Sequence, residues 1–282
     1  MYKIKNPLKM RYSLLGILLV IASLVTSCGG YQALLKSDDY EKKYDAAVMY
    51  FDQEEYHKAL PLLEDLMSYI RGTERTEDVY YYYAKSLYET GDLRMASFRF
   101  LNLFNTYPHG KYAQEALFMH AFCLYRMSPP VELDQDNSKK AIDAFQSYIN
   151  RFPTSDKIEQ CNQYIDELMR KIERKAVRNA KLYHHMEEHK AAITALGTVL
   201  EEYPGLPMED ELYYLRVESA YKLFAGSIWE KKEERYHDVI RYYKEMKRNV
   251  PEDSKFLNLA RSYSKDAESD YKKFLMQQSK IK

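Results

Sequence analysis

The chain has 282 residues, 46% of them hydrophobic, and its 42 basic residues are balanced by 42 acidic ones. That balance excludes the broad basic field of a nucleic-acid binder, and the length suffices for one extended domain or two compact ones. Only 9 Gly and 9 Pro stand against 28 Tyr, which argues for helices carrying rings with polar tips, suited to half-buried faces.

Residues 1–27 carry Lys3, Lys5, Lys9 and Arg11 and no acid, and Ser13–Leu24 reads "SLLGILLVIASL". This apolar run is too short to span a bilayer, which takes about 20 residues. A basic start, a short apolar core and small residues before a cut site describe a secretory signal. In "LVTSCGG", Cys28 follows Val25, Thr26 and Ser27, which resembles the bacterial lipoprotein box. The resemblance implies removal of residues 1–27, a diacylglyceryl thioether on Cys28 and acylation of the new amino terminus. Several acyl chains anchor stably where one is marginal. Residues 28–39 are then a lipidated tether, and the glycine after Cys28 favours the outer membrane. An ordinary signal-peptidase site is the alternative. Cys123 and Cys161 remain; burial as free thiols is preferred over a disulfide.

From residue 40 a helix-pair pattern recurs. "EDVYYYYAKSLYETGDLRMASFRFLNLFNTYP", residues 77–108, resembles the tetratricopeptide repeat. Ala84 and Ala96 hold the small positions where two helices cross; Tyr80, Tyr83, Leu87, Phe100 and Leu103 hold the large ones. Gly91-Asp92 makes the turn and Pro108 ends the second helix. Ala47 and Ala59, Ala121 and Ala141, and Ala180 and Ala192 are the small pairs of three further units. A fifth, degenerate unit has Ala220, Val239 and Pro251. The fold class is therefore all-α, a right-handed superhelix of about five helix–turn–helix repeats. Repeats one to three fill 40–154. A connecting helix, repeats four and five, and a capping helix near Ser254–Met276 fill 155–282.

Departures from the period mark special features. "RMSPPVELDQDNS" interrupts the third unit, with Asn137 or Ser138 placed to cap the next helix. Asp134 and Asp136 lack the glycine and terminal glutamate of a calcium loop. "SIWEKKEERY" is a charged insertion in the fifth unit and carries the single Trp, Trp229. "TSDKIEQCNQYIDELMRKIERKAVRNAKLYHH" reads as one long helix, with Ile158, Cys161, Ile165, Leu168 and Ile172 along one stripe.

No phosphate loop or nucleophile elbow is present, and no cofactor motif. His185 and His189 are one helical turn apart, a spacing that metals accept, but "MEEH" also reads as an exposed turn between helices. The reading is a non-enzyme without metal or cofactor.

In stacked repeats the first helix of each pair lines the concave face. The register places Tyr44, Val48 and Phe51 there in repeat one, and Tyr81, Lys85 and Tyr88 in repeat two. Phe118, Phe122, Tyr125 and Arg126 follow in repeat three, and Val177, Lys181, His184 and His185 in repeat four. The first three repeats thus offer aromatic pockets with Lys85 and Arg126 among them, suited to an extended peptide whose carboxylate a cation could take. The opposing reading packs these rings against neighbouring repeats or the N-terminal "YQALLKSDDYEKKY". Within the run Tyr80–Tyr83, Tyr80 and Tyr83 are core positions, Tyr81 faces the groove and Tyr82 sits on the flank.

The chain from Cys28 onward resembles the BamD family, tetratricopeptide lipoproteins of the outer-membrane β-barrel assembly machinery. The resemblance rests on the lipobox, "YYYYAKSLYETGD", "YPHGKYAQEALFMHAFCLY", the interrupted third unit, "FQSYINRFPTS" and "RKAVRNAKLYHHMEEHKAAITALGTVLEEYP". The tyrosine richness looks like the Bacteroidetes branch. The resemblance implies an outer-membrane, periplasm-facing scaffold. Its C-terminal repeats would dock a BamA-type POTRA barrel protein, and its N-terminal repeats would recognise C-terminal signals of unfolded β-barrel precursors. A periplasmic adaptor for peptidoglycan or cell-division machinery is the alternative, and a glycan-binding repeat lipoprotein another.

Overall fold

The computed structural model describes residues 30–70 and 72–281; the signal sequence and Cys28 lie outside them. All regular structure among the described residues is helical. Helix α1 covers residues 30–35. Then come α2 (Tyr40–Asp52), α3 (Tyr56–Tyr69), α4 (Thr76–Glu89), α5 (Leu93–Thr106), α6 (Ala113–Arg126) and α7 (Asp136–Arg151). The long α8 (Ile158–His185) is followed by α9 (His189–Glu202), α10 (Glu209–Ala225), α11 (Lys232–Asn249) and α12 (Lys255–Ile281).

Two compact units divide the chain. The first holds the described residues up to Pro129 together with Asp136–Ile165; the second holds Pro130–Gln135 and the residues from Asp166 onward. The units therefore part inside α8, whereas the sequence pattern suggests a boundary at the turn after residue 154. The first unit contains the hairpins α2/α3, α4/α5 and α6/α7 and the opening turns of α8. The second contains the rest of α8, then α9, α10/α11 and α12.

The crossing positions explain why these helices pair. Ala47 and Ala59, Ala84 and Ala96, Ala121 and Ala141, and Ala180 and Ala192 are all fully buried. A methyl at these points lets the two helix backbones approach closely. In the fifth pair Ala220 keeps its place and a buried Val239 takes the second position. Around them Leu62, Leu66, Phe100, Leu103, Phe145 and Tyr148 fill the first core, and Leu196, Leu212 and Met246 the second. Each such side chain contributes about 1.5–3 kcal/mol by leaving water.

Turns repeat as faithfully as cores. Gly91 has φ +88°, and Glu54 and Glu187 occupy the same left-handed place with φ +59°. Behind each, the following amide reaches five residues back: Asp92 to Leu87 O at 2.9 Å, Glu55 to Tyr50 O at 2.8 Å, Glu188 to Tyr183 O at 3.0 Å. These bonds satisfy carbonyls that the helix end leaves open. Second helices end before proline: the amides of Tyr107, Phe152, Tyr203 and Val250 close onto Leu103, Tyr148, Val199 and Met246 at 2.9–3.0 Å. Pro108, Pro153, Pro204 and Pro251 then stop the helix, because the residue before proline is pushed out of helical geometry.

Three expectations change. The described part of the tether is not free chain: α1 packs on repeat one, with Leu34 and Leu35 against the first core and Tyr31 Oη donating to Lys58 O at 2.9 Å. Neither Asn137 nor Ser138 caps α7, which already begins at Asp136. Asn137 Nδ2 instead donates to Met127 O at 3.2 Å, and buried Ser138 pairs with Ser128 Oγ at 2.7 Å, so both side chains close the insertion. The capping helix runs on to Ile281. There Trp229 of the charged insertion lies 4.4 Å from the Phe274 ring, and Tyr236 stacks on Tyr271 at 4.1 Å. Cys123 and Cys161 are free and buried; burial raises both thiols, to about 12 and about 11.

Candidate functional site

The ring row of the first three repeats arises from helical spacing. Tyr44 and Phe51, and Tyr81 and Tyr88, are seven residues apart; Phe118, Phe122 and Tyr125 follow at four and three. Each set shares one helix face. Tyr44, Phe51, Tyr81, Lys85, Tyr88, Phe122 and Tyr125 are half-buried and Arg126 is exposed.

Phe118 is a correction. It is only 6% exposed and cannot serve as an open groove ring. Phe145 lies 6.2 Å and Tyr148 5.6 Å from it, and the Lys157 ammonium sits 4.4 Å over its face. Lys157 leads into α8, whose Tyr164 packs against Phe122 at 5.5 Å and Tyr125 at 4.4 Å. The opening turns of α8 act as the next first helix and cover the far end of repeat three.

Tyr81 is also more engaged than its register implies. Its ring stacks on Tyr112 at 4.0 Å and 4°, and its hydroxyl donates to Glu115 Oε1 at 2.7 Å. Tyr112 Oη donates to Asp78 Oδ1 at 2.8 Å, and the Tyr112 amide to Glu77 Oε1 at 2.9 Å. Burial, then the carboxylate partner, pushes both phenols above the ordinary tyrosine value. The Glu77 carboxylate lies where a Cβ on Gly110 would stand, so a larger residue there would displace it. These five residues form a clamp between repeats two and three. Tyr82 packs across the repeat boundary on Phe51 at 4.6 Å, as its flank position suggests, and Tyr83 is core.

The surface that stays available centres on Tyr88, Phe122 and Arg126. The Tyr88 and Phe122 rings are 6.2 Å apart. Arg126 Nη1 donates to Tyr88 Oη at 3.0 Å, and its guanidinium lies 5.3 Å from the ring centre. Lys85 is tied to Glu89 at 2.9 Å, whereas Arg126 has no carboxylate partner among the described residues. Arg126 is thus the row's open cation beside two half-buried rings. At the other end the Arg75 guanidinium covers Tyr44 at 4.4 Å.

Repeat four differs. Val177 is buried, Lys181 pairs with Glu211 at 2.7 Å, and His184 Nδ1 is 2.9 Å from Ser219 Oγ. Burial lowers the His184 pKa, against the opposing pull of Glu218. His184 is thus a link to α10. Among the described residues no group of three His, Cys, Asp or Glu side chains is placed to hold a metal ion. Nor is any described helix long and apolar enough to cross a membrane.

Position in the repeat was legible from sequence; the partners Tyr112, Glu115 and Tyr164 were missed. Tyr112 and Asp78 are 34 residues apart, close to the 37-residue spacing of Ala84 and Ala121, which is a usable signal. Tyr164 belongs to the connecting helix and carries none.

Solved structures of tetratricopeptide repeat proteins are similar at low identity. One is the TPR2AB domain of yeast Sti1 in its pHSP90 complex, at 12% identity and TM-score 0.39 over 84% of this chain and 87% of that one. The P58(IPK) TPR domain gives 12%, 0.41, 88% and 68% for the same quantities. A tetratricopeptide repeat protein of Parabacteroides merdae gives 11%, 0.36, 82% and 100%. No curated protein matches. The YfiO family, described as outer membrane lipoprotein, matches residues 36–236, well over half of the chain, and the protein belongs to that family.

Proposed function

We propose that the protein is a lipid-anchored scaffold of the outer-membrane β-barrel assembly machinery, of the BamD type, held on the periplasmic face through Cys28. Its first three repeats take the C-terminal segment of an unfolded barrel precursor, and its later repeats engage a BamA-type POTRA barrel protein. The observation that carries the reading is the Tyr88–Phe122 ring pair with the exposed Arg126 beside it. Half-buried rings offer a flat apolar seat for a terminal aromatic side chain, and a guanidinium without a carboxylate partner suits a terminal carboxylate. Family membership supports the location. The helical-repeat architecture supports a scaffold role, because such repeats present faces to partners.

A pull-down from detergent-solubilised envelope tests the assignment. Recovery of a POTRA-containing barrel protein is expected; recovery of peptidoglycan or division proteins in its place would support the adaptor alternative. Cys28→Ala should release the protein from the membrane fraction, and unchanged fractionation would remove the anchor from the account.

A further inference from the structure

We propose that the trough along α8 in the second unit binds an extended acidic segment of a partner protein, with carboxylates on alternate residues and apolar side chains between them. The trough is a cavity of about 790 Å³, within the range of about 300–1,000 Å³ usual for ligand sites. One wall is the face of α8 from Glu167 to Lys181; the other is the Leu206–Met208 loop between α9 and α10. Buried Val177 gives it an apolar floor, and Leu206, Pro207 and Met208 make the facing wall apolar.

The rim is cationic. Five basic side chains of α8 line it against the two carboxylates of Glu167 and Glu173. Arg178 is paired with Glu132 and Lys181 with Glu211. Arg170 and Arg174 are exposed and have no carboxylate partner among the described residues; Arg174 Nε donates only to Arg170 O, at 3.2 Å. Burial, then the Arg174 charge, holds Lys171 below the ordinary lysine value against the opposing pull of Glu167.

Shape selects the class of anion. Fourteen residue steps of helix from Glu167 to Lys181 span about 21 Å. That is the length of about six residues of extended chain. Arg170, Arg174 and Arg178 recur every four residues, about 6 Å apart along the helix. Side chains on one side of an extended strand recur at about 6.7 Å. A row of cations at nearly the strand repeat, over an apolar floor, matches alternating acidic and apolar residues.

The probe is a fluorescent hexapeptide of alternating Asp and Leu, titrated into the full chain in mild detergent with anisotropy as the readout. Saturable binding that weakens with salt is expected. The exposed pair Arg170→Glu with Arg174→Glu should weaken it about tenfold or more, and a Lys–Leu peptide should not bind. Met208→Asp on the facing wall should weaken it independently, and Asp suits that position because it precedes the first residue of α10. Equal affinity of the folded variants, or no binding to the wild-type chain, overturns the proposal. So does binding only to phosphatidylglycerol vesicles, which would assign the trough to lipid. The substituted residues all lie in the second unit, so failure here leaves the peptide reading of the first unit standing.

Discussion

The two units use one repeat plan with different residues on the matching face of their first helices. At the position three residues before the first crossing alanine, repeats two and three carry Tyr81 and Phe118 while repeat four carries Val177. One residue after that alanine, Lys85 and Phe122 correspond to Lys181. In the first unit, tyrosine hydroxyls reach across the repeat boundary to carboxylates: Tyr81 to Glu115 and Tyr112 to Asp78. In the second, Lys181 of α8 pairs with Glu211 of α10, and tyrosine hydroxyls again reach carboxylates between α10 and α12: Tyr221 to Asp270 and Tyr263 to Glu218. Rings contribute buried area and directional bonds together, whereas half-exposed ion pairs contribute little net stability. The ring row thus belongs to the first unit, and repeat four carries Val177 and Lys181 at the matching places.

Substitutions at matched positions sharpen or break this contrast. Phe118→Ala should cost about 3–5 kcal/mol in urea unfolding, since a buried ring is lost. Val177→Ala at the matching place should cost only about 1–2 kcal/mol. Equal costs would break the contrast. Tyr81→Phe should cost about 1.5–3 kcal/mol in the same assay, because a hydrogen bond to a carboxylate disappears while stacking stays. Left-handed turn residues give a smaller effect. Gly91→Ala should destabilise by about 1 kcal/mol, whereas Glu187→Gly should not destabilise, because Glu187 already bears the strain that glycine avoids. Smallest is Lys181→Met, expected to shift stability by a few tenths of a kcal/mol and to lose even that in high salt.

The repeats are readable in the sequence because their physics is local. Paired alanines, a left-handed turn residue and an aromatic–proline stop each act within one hairpin, and each recurs. The fifth repeat is harder to read, since Val239 replaces the second alanine and Trp229 docks on the distant Phe274. The site was legible as a face but not as an accessible surface. Register identifies the ring row, yet nothing in the third repeat announces that Lys157 and Tyr164 cover Phe118 and flank Phe122. That cover depends on where α8 begins to pack, a contact between elements. The cationic trough was missed for a related reason. Arg170 and Arg174 look like a solvated helix face until the loop at Leu206–Met208 is placed opposite them.

The account rests on Tyr88, Phe122 and Arg126 as a seat for a chain end that carries an aromatic ring and a carboxylate. The direct measurement is anisotropy of a labelled barrel-protein C-terminal peptide ending in phenylalanine, free or amidated, against the wild-type chain and Arg126→Glu. Arg126 is exposed, so its substitution should leave the helical signal intact. The account predicts that the free-carboxylate peptide binds the wild-type chain, and that either amidation or Arg126→Glu weakens binding about tenfold. Equal affinity of both peptides for both proteins would contradict it.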